Sequence, residues 1–257
     1  MKKIALLSCL TLLAISAAAQ GNFEQGLRWY NNRTSGSKEL RAKPEHINRA
    51  IPYFEKALSL KEKELQTGIY LMRSYIFKAR FTQESNSDKR KTFQLAKEVG
   101  DKLVPRHPLS KELRFEYLSS IGQWGEVMGV FRAAREGVVD MVKAEMEALI
   151  KLDPEFRNGV GERALAVLNL RVPKIPFILS WPDKKKSLIM TTDVVRRYPK
   201  NVGNNFYHAE ALVENGKKQE AVTFLLRALS MSPDPDYLLE DRSLHLQAKK
   251  MLDRLQR

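Results

Sequence analysis

The stretch that most limits what this chain can fold into is Asn205 to Pro233, NFYHAEALVENGKKQEAVTFLLRALSMSP. Ala209, Gly216, Ala221, Ala228 and Pro233 follow one another at spacings of 7, 5, 7 and 5, with apolar residues recurring every three or four positions between them. Two helices that approach closely need small residues at the crossing, a turn that accepts positive φ, and a stop. The alanines, Asn215-Gly216 and Pro233 supply these. The stretch therefore predicts an antiparallel helical hairpin.

A second copy lies upstream. Ala50 to Leu60, AIPYFEKALSL, aligns without a gap on Ala221 to Met231, AVTFLLRALSM, sharing the opening alanine and a basic-Ala-Leu-Ser tail near the end. Pro52 fits such a helix if it starts near Arg49, where a missing N–H breaks no bond. Between the copies the helix-turn-helix rhythm continues less regularly. Helical periodicity covers Phe23 to Tyr30, Leu65 to Phe81, Thr92 to Val104 and Glu112 to Leu152, the last divided at Gly137. Stops at Pro108, Pro154, Pro199 and Pro233 are 46, 45 and 34 residues apart.

These residues resemble tetratricopeptide repeats, most clearly over 44–60 and 202–235. The resemblance implies an all-α superhelix of about five antiparallel hairpins. Leu238 to Leu255 is expected to cap its open end, and residues 20–257 to form one such domain. A narrower likeness runs from Gly122-x-Trp124-Gly125 through Lys151 to Pro154, Gly159-x-Gly161-x-Arg163-Ala-Leu165 and a proline-rich loop ending Pro182-Asp183. That order resembles exported proteins related to the T component of TRAP-type transporters, although the loop reads Pro-Asp where that family has Gly-Asp. It implies a periplasmic accessory protein acting with a solute-binding partner.

The first residues read as an address. Lys2 and Lys3, the apolar run Ile4 to Ile15 and the small tract Ser16 to Ala19 make a secretory signal cut after Ala19. The run is too short to span a bilayer. Leu6-Leu7-Ser8-Cys9 has the look of a lipoprotein box, but the apolar run continues past the cysteine, which argues against lipidation. Cys9 is the one cysteine, so about 238 mature residues would hold no disulfide, thiolate nucleophile or cysteine-bound metal. The net charge of +14 falls to +12 once Lys2 and Lys3 leave. Export argues against a nucleic-acid partner, and the spread of Lys and Arg along the chain fits a solvated basic surface.

No constellation of residues points to catalysis. His46, His107, His208 and His245 lack metal-binding spacing, and Gly159-x-Gly161 is too short for a phosphate cradle and reads as a hinge. No cofactor or metal is expected. What remains is binding, since stacked hairpins bury one another's apolar faces and leave a concave groove.

Phe206, Glu210 and Val213 share a face of the last hairpin's first helix and are candidates for the groove wall, unless the two apolar ones are core. The insert Val172 to Pro182 is stiffened by three prolines and carries Phe177, Ile178, Leu179 and Trp181. It is either a plug folded onto its own superhelix or a docking lip offering Phe177, Ile178 and Trp181. Trp124 poses the same choice, with its flanking glycines favouring the core. Arg163 is either a structural ion-pair partner or a binding residue. The functional expectation is an exported, non-enzymatic scaffold for a protein or peptide partner. The alternative is a periplasmic transport accessory holding a small apolar or acidic solute near Phe177 to Trp181.

Overall fold

The computed structural model describes residues 21–256, so the leader, its cut after Ala19 and the Cys9 motif lie outside the described residues. Among the described residues there are twelve α-helices and no strand. They are α1 (Asn22–Asn31), α2 (Pro44–Ser59), α3 (Glu64–Phe81), α4 (Asn86–Leu103), α5 (Lys111–Met128) and α6 (Val130–Arg135). The rest are α7 (Val138–Leu152), α8 (Phe156–Arg171), α9 (Lys184–Arg197), α10 (Val202–Glu214), α11 (Lys218–Ser230) and α12 (Leu238–Leu255), the last entered through a 3-10 turn at Pro235–Tyr237.

Helix starts follow local chemistry. Ser85, Ser110 and Asn201 each accept a hydrogen bond from the backbone N–H three residues on, and the Asp183 carboxylate accepts from Lys185 and Lys186 N–H. Pro52 departs from expectation. Because α2 begins at Pro44, Pro52 sits in the helix interior, and the carbonyl it leaves without a donor belongs to exposed Asn48, where water can serve it.

Helices pack as hairpins: α1 with α2, α3 with α4, α5 with α7 across the short α6, α8 with α9, and α10 with α11. Every other helix also stacks, α1 on α3, α3 on α5, α8 on α10 and α10 on α12, which makes an inner layer. The small residues read from the sequence are where the helices meet: Ala50, Ala57, Ala209, Ala221 and Ala228 are all fully buried. Gly100 shows why size matters there, since a Cβ on it would lie 2.1 Å from the ring of Tyr117.

The middle of the chain breaks this regularity. Gly137 divides the long segment as expected, with φ 74, but Gly129, with φ 89, divides it again and inserts the six-residue α6. At the start of α8, Arg157, Asn158 and Gly159 all adopt left-handed φ (47, 59 and 71), a sharp corner before the helix proper. Close packing of α5 against α8 is missing from the inner layer at this point, and α7 spans the space by touching both.

Two hydrophobic cores result. The larger runs from Phe23 to Leu165 and takes in Leu179 and Leu239; the smaller holds Phe206, Ala209, Leu212, Ala221, Leu225, Ala228, Ala248 and Leu252. Helix α12 therefore contributes Leu239 to the first core and Ala248 and Leu252 to the second. Just before it, the Asp236 carbonyl accepts a hydrogen bond from Arg33, just past α1. The entry to α12 thus reaches back to the segment after α1.

Candidate functional site

Where the inner layer loosens between α5 and α8 there is a cavity of about 550 Å³. Val160, Ala164, Val167 and Leu168 recur at helical spacing along one face of α8 and form one wall. Phe115, Leu118 and Gly122 of α5 face them, Val142 and Met146 of α7 make the floor, and Tyr207 of α10 and Tyr237 close the far side. The walls are largely aliphatic. Such a space favours apolar groups, because burying each Leu- or Val-sized side chain contributes ~1.5–3 kcal/mol.

The rim is charged. Arg163 was expected as a possible ion-pair partner, but its Nη1 donates instead to the side-chain oxygens of Asn201, at 3.1 Å, and Asn204, at 2.5 Å. Asn204 is itself held by donating to the carbonyls of Asn158 and Tyr198, so the corner before α8 and the start of α10 together fix the guanidinium. Burial pushes the Arg163 pKa down, opposed weakly by Tyr207 and Asp241. Among the described residues Arg163 makes no ion pair. A half-buried guanidinium held by amides and without a carboxylate partner gains from an anion brought to it.

Across the cavity, Arg73 pairs with the buried Glu116 at 2.7 Å. Burial raises the pKa of Glu240, against the lowering pull of Arg80 and Arg33. The Arg157 guanidinium lies 4.8 Å from the Tyr237 ring centroid. The segment entering α12 thus forms part of the cavity's own wall.

The groove-wall candidates on α10 are placed differently from the expectation. Phe206 is fully enclosed in the second core, because the face of α10 that carries it packs on α11 and α12, so it has no surface to offer a partner. Val213 packs partly against the same core. Glu210 is bound by both Nε and Nη2 of Arg171, at 3.0 and 2.9 Å, beside a second cavity of about 520 Å³ at the base of the 172–182 insert. The α10 residue that does reach the main cavity is Tyr207, one position along from Phe206.

The insert divides its side chains between the two readings. Leu179 and Pro182 are buried, and Trp181 packs on the large core, donates from Nε1 to Asp140 at 3.2 Å and lies under Lys143. Phe177 and Ile178 point away, the first wholly exposed and the second 45% exposed. Trp124 is half-buried against the core with Lys97 over its ring. The cavity walls on α7 and α8 were missed by sequence reasoning; the one signal for them was the small and aliphatic stripe at 160, 164, 167 and 168, which reads equally well as core.

Among the described residues, no group of three or more His, Cys, Asp or Glu could hold a metal ion, and no helix is long and apolar enough to cross a membrane.

Residues 208–235 match the family model of the tetratricopeptide repeat. The fold is a tetratricopeptide-like α-solenoid. In three dimensions the chain is similar to a crystal structure described as a thermophilic tetratricopeptide repeat protein of Thermus thermophilus. The TM-score is 0.61 at 14% sequence identity, covering 90% of this chain and 97% of that one. At that identity the likeness concerns the fold. No curated protein matches the chain in sequence, and neither likeness concerns transport.

Proposed function

We propose that this protein is a non-enzymatic interaction scaffold working outside the cytoplasm, and that it receives an apolar segment of a protein partner bearing an acidic group in the cavity between α5 and α8. The tetratricopeptide-like fold supports protein partners in general. The observation that carries this site is the aliphatic cavity with Arg163 at its rim, held by two asparagines and given no carboxylate. Apolar walls supply affinity, and the guanidinium of Arg163, preoriented by its asparagines, supplies register and selectivity. Work outside the cytoplasm rests on the leader, Lys2 to Ala19.

Ala164 is half-buried in the cavity wall, so Ala164→Trp should fill the space with modest change in melting temperature. A partner captured with the wild-type chain from the exported fraction is expected to bind ~10-fold or more weakly to this variant, and more weakly to Arg163→Gln. Unchanged capture by Ala164→Trp, or recovery of the chain alone after crosslinking, would remove the cavity from consideration.

A further inference from the structure

The 172–182 insert ends in a turn whose geometry the scaffold reading does not use. Ile175 and Leu179 exchange backbone hydrogen bonds, N–H to O at 2.9 Å and back at 2.8 Å, and Ile178 N–H returns to the Ile175 carbonyl at 3.0 Å. Pro176 and Phe177 are the two central residues. The second central position of such a turn needs positive φ and ordinarily takes glycine or asparagine. Here it is Phe177, with φ 62. A large aromatic in this backbone region is strained, and this one recovers nothing by packing, because it is wholly exposed.

The loop is not loose. Leu179 is buried without remainder, Pro182 is buried and Trp181 is tied to Asp140, so one side of the insert is anchored while the other holds Phe177 and Ile178 out to water. The chain on either side of this tip is rich in lysine. Lys174 immediately precedes the Ile175–Leu179 bridge, and Lys184, Lys185 and Lys186 open α9. All four are exposed. Lys184 pairs with Glu214, while Lys174, Lys185 and Lys186 make no ion pair among the described residues. Asp183 stands among them with Asp140 and Glu214 nearby; its carboxyl is held below its usual range first by the N–H groups of Lys186 and Lys185 and then by the fields of Lys174 and Lys185. On the next turn of α9, Ile189 is 71% exposed, four residues from Lys185.

We propose that Phe177 and Ile178 insert into the headgroup layer of an anionic membrane, with Lys174, Lys185 and Lys186 against its phosphates. An aromatic and an aliphatic residue at a rigid tip, with exposed lysines on the same insert and at the start of the helix that follows it, match the two contributions to peripheral membrane binding: burial of a shallow apolar wedge and attraction to a negative surface. Neither residue lines the main cavity, so a bound membrane leaves that site open. Three exposed lysines outside any ion pair among the described residues favour an anionic lipid surface over an uncharged protein pocket.

The test uses the full chain throughout, so residues 1–20 contribute equally to every variant. Phe177→Gly removes the aromatic and also the strain, so melting temperature should hold or rise while affinity for phosphatidylglycerol vesicles falls ~10-fold or more. A purely structural role for Phe177 cannot give that combination. Lys174→Glu with Lys185→Glu should weaken binding similarly, as should 0.5 M salt. An environment-sensitive dye on Ile178→Cys, in a Cys9→Ser background, should shift to the blue on phosphatidylglycerol and not on phosphatidylcholine vesicles. The proposal is overturned if Phe177→Gly binds like wild type, if the two lipids bind equally, or if the chain ignores vesicles while a photocrosslinker at position 178 captures a protein. The cavity reading is unaffected by any of these outcomes, since its variants lie on α8.

Discussion

At the scale of single residues, several polar groups inside this helical stack hold particular joints together. His208 is one. It is 4% exposed on α10, its Nδ1 lies 3.1 Å from the Thr191 hydroxyl, and its ring meets Phe224 edge-on at 4.4 Å. Burial pushes its pKa down to about 4; Glu220 pulls the other way, and Arg227 and Lys217 add to the fall. The unfolded chain takes up that proton near pH 6.5. The folded protein therefore has its full stability from this group above about pH 6.5 and loses it as pH falls toward 4, because the unfolded state binds the proton first. Thermal melts across that range should show a decline that His208→Gln flattens. Parallel declines in both proteins would remove His208 as the cause. Arg163 teaches the complementary lesson: its place on a helix was readable, but its two asparagine partners lie 38 and 41 positions away and could not be paired with it by spacing.

At the scale of elements, the hairpin of α10 and α11 behaves as its sequence requires. Gly216 has φ 79, and the Lys217 N–H returns to the Leu212 carbonyl across it. No atom lies within 4 Å of where a Cβ would sit, so a substitution there meets only the backbone penalty. Gly216→Val should cost ~1–2 kcal/mol, read as a lowered denaturation midpoint with unchanged m-value; an unaltered midpoint would contradict the left-handed turn. Helix α12 runs from Leu238 to Leu255, the bounds its sequence predicts. Helices α2 and α4 begin earlier than their apolar periodicity suggests, because Pro44 at the first turn and the Ser85 cap start them on polar residues. The same periodicity left open which face of α10 is core, and the structure puts Phe206 there. Phe206 and Tyr207 are both aromatic neighbours, and only packing against α11 and α12 decides which one turns inward.

At the scale of the whole molecule, the decisive feature is that α12 joins both cores. A plain solenoid transmits stability from neighbour to neighbour and frays from its ends. Here Leu239 is buried in the core built largely by α1 to α8, although its own helix caps the other end, and Arg33, just past α1, holds the Asp236 carbonyl. Leu239→Ala should cost ~2–5 kcal/mol and, in hydrogen exchange, should lower protection in α1 and α12 together. Loss confined to α12 would mean that the two ends are independent.

The sequence by itself determined the helical class, the hairpin register of 202–235, the capping helix and the turn at Gly216, because small residues, glycine and proline act through local geometry that needs no distant partner. The tertiary structure decided the rest. It opened the cavity where α6 interrupts the inner layer, gave Arg163 its asparagines, enclosed Phe206 and left Phe177 in water. Each of these depends on which of two apolar faces, or which of many polar residues dozens of positions away, is brought near, and a periodic pattern along one chain carries no information about that choice.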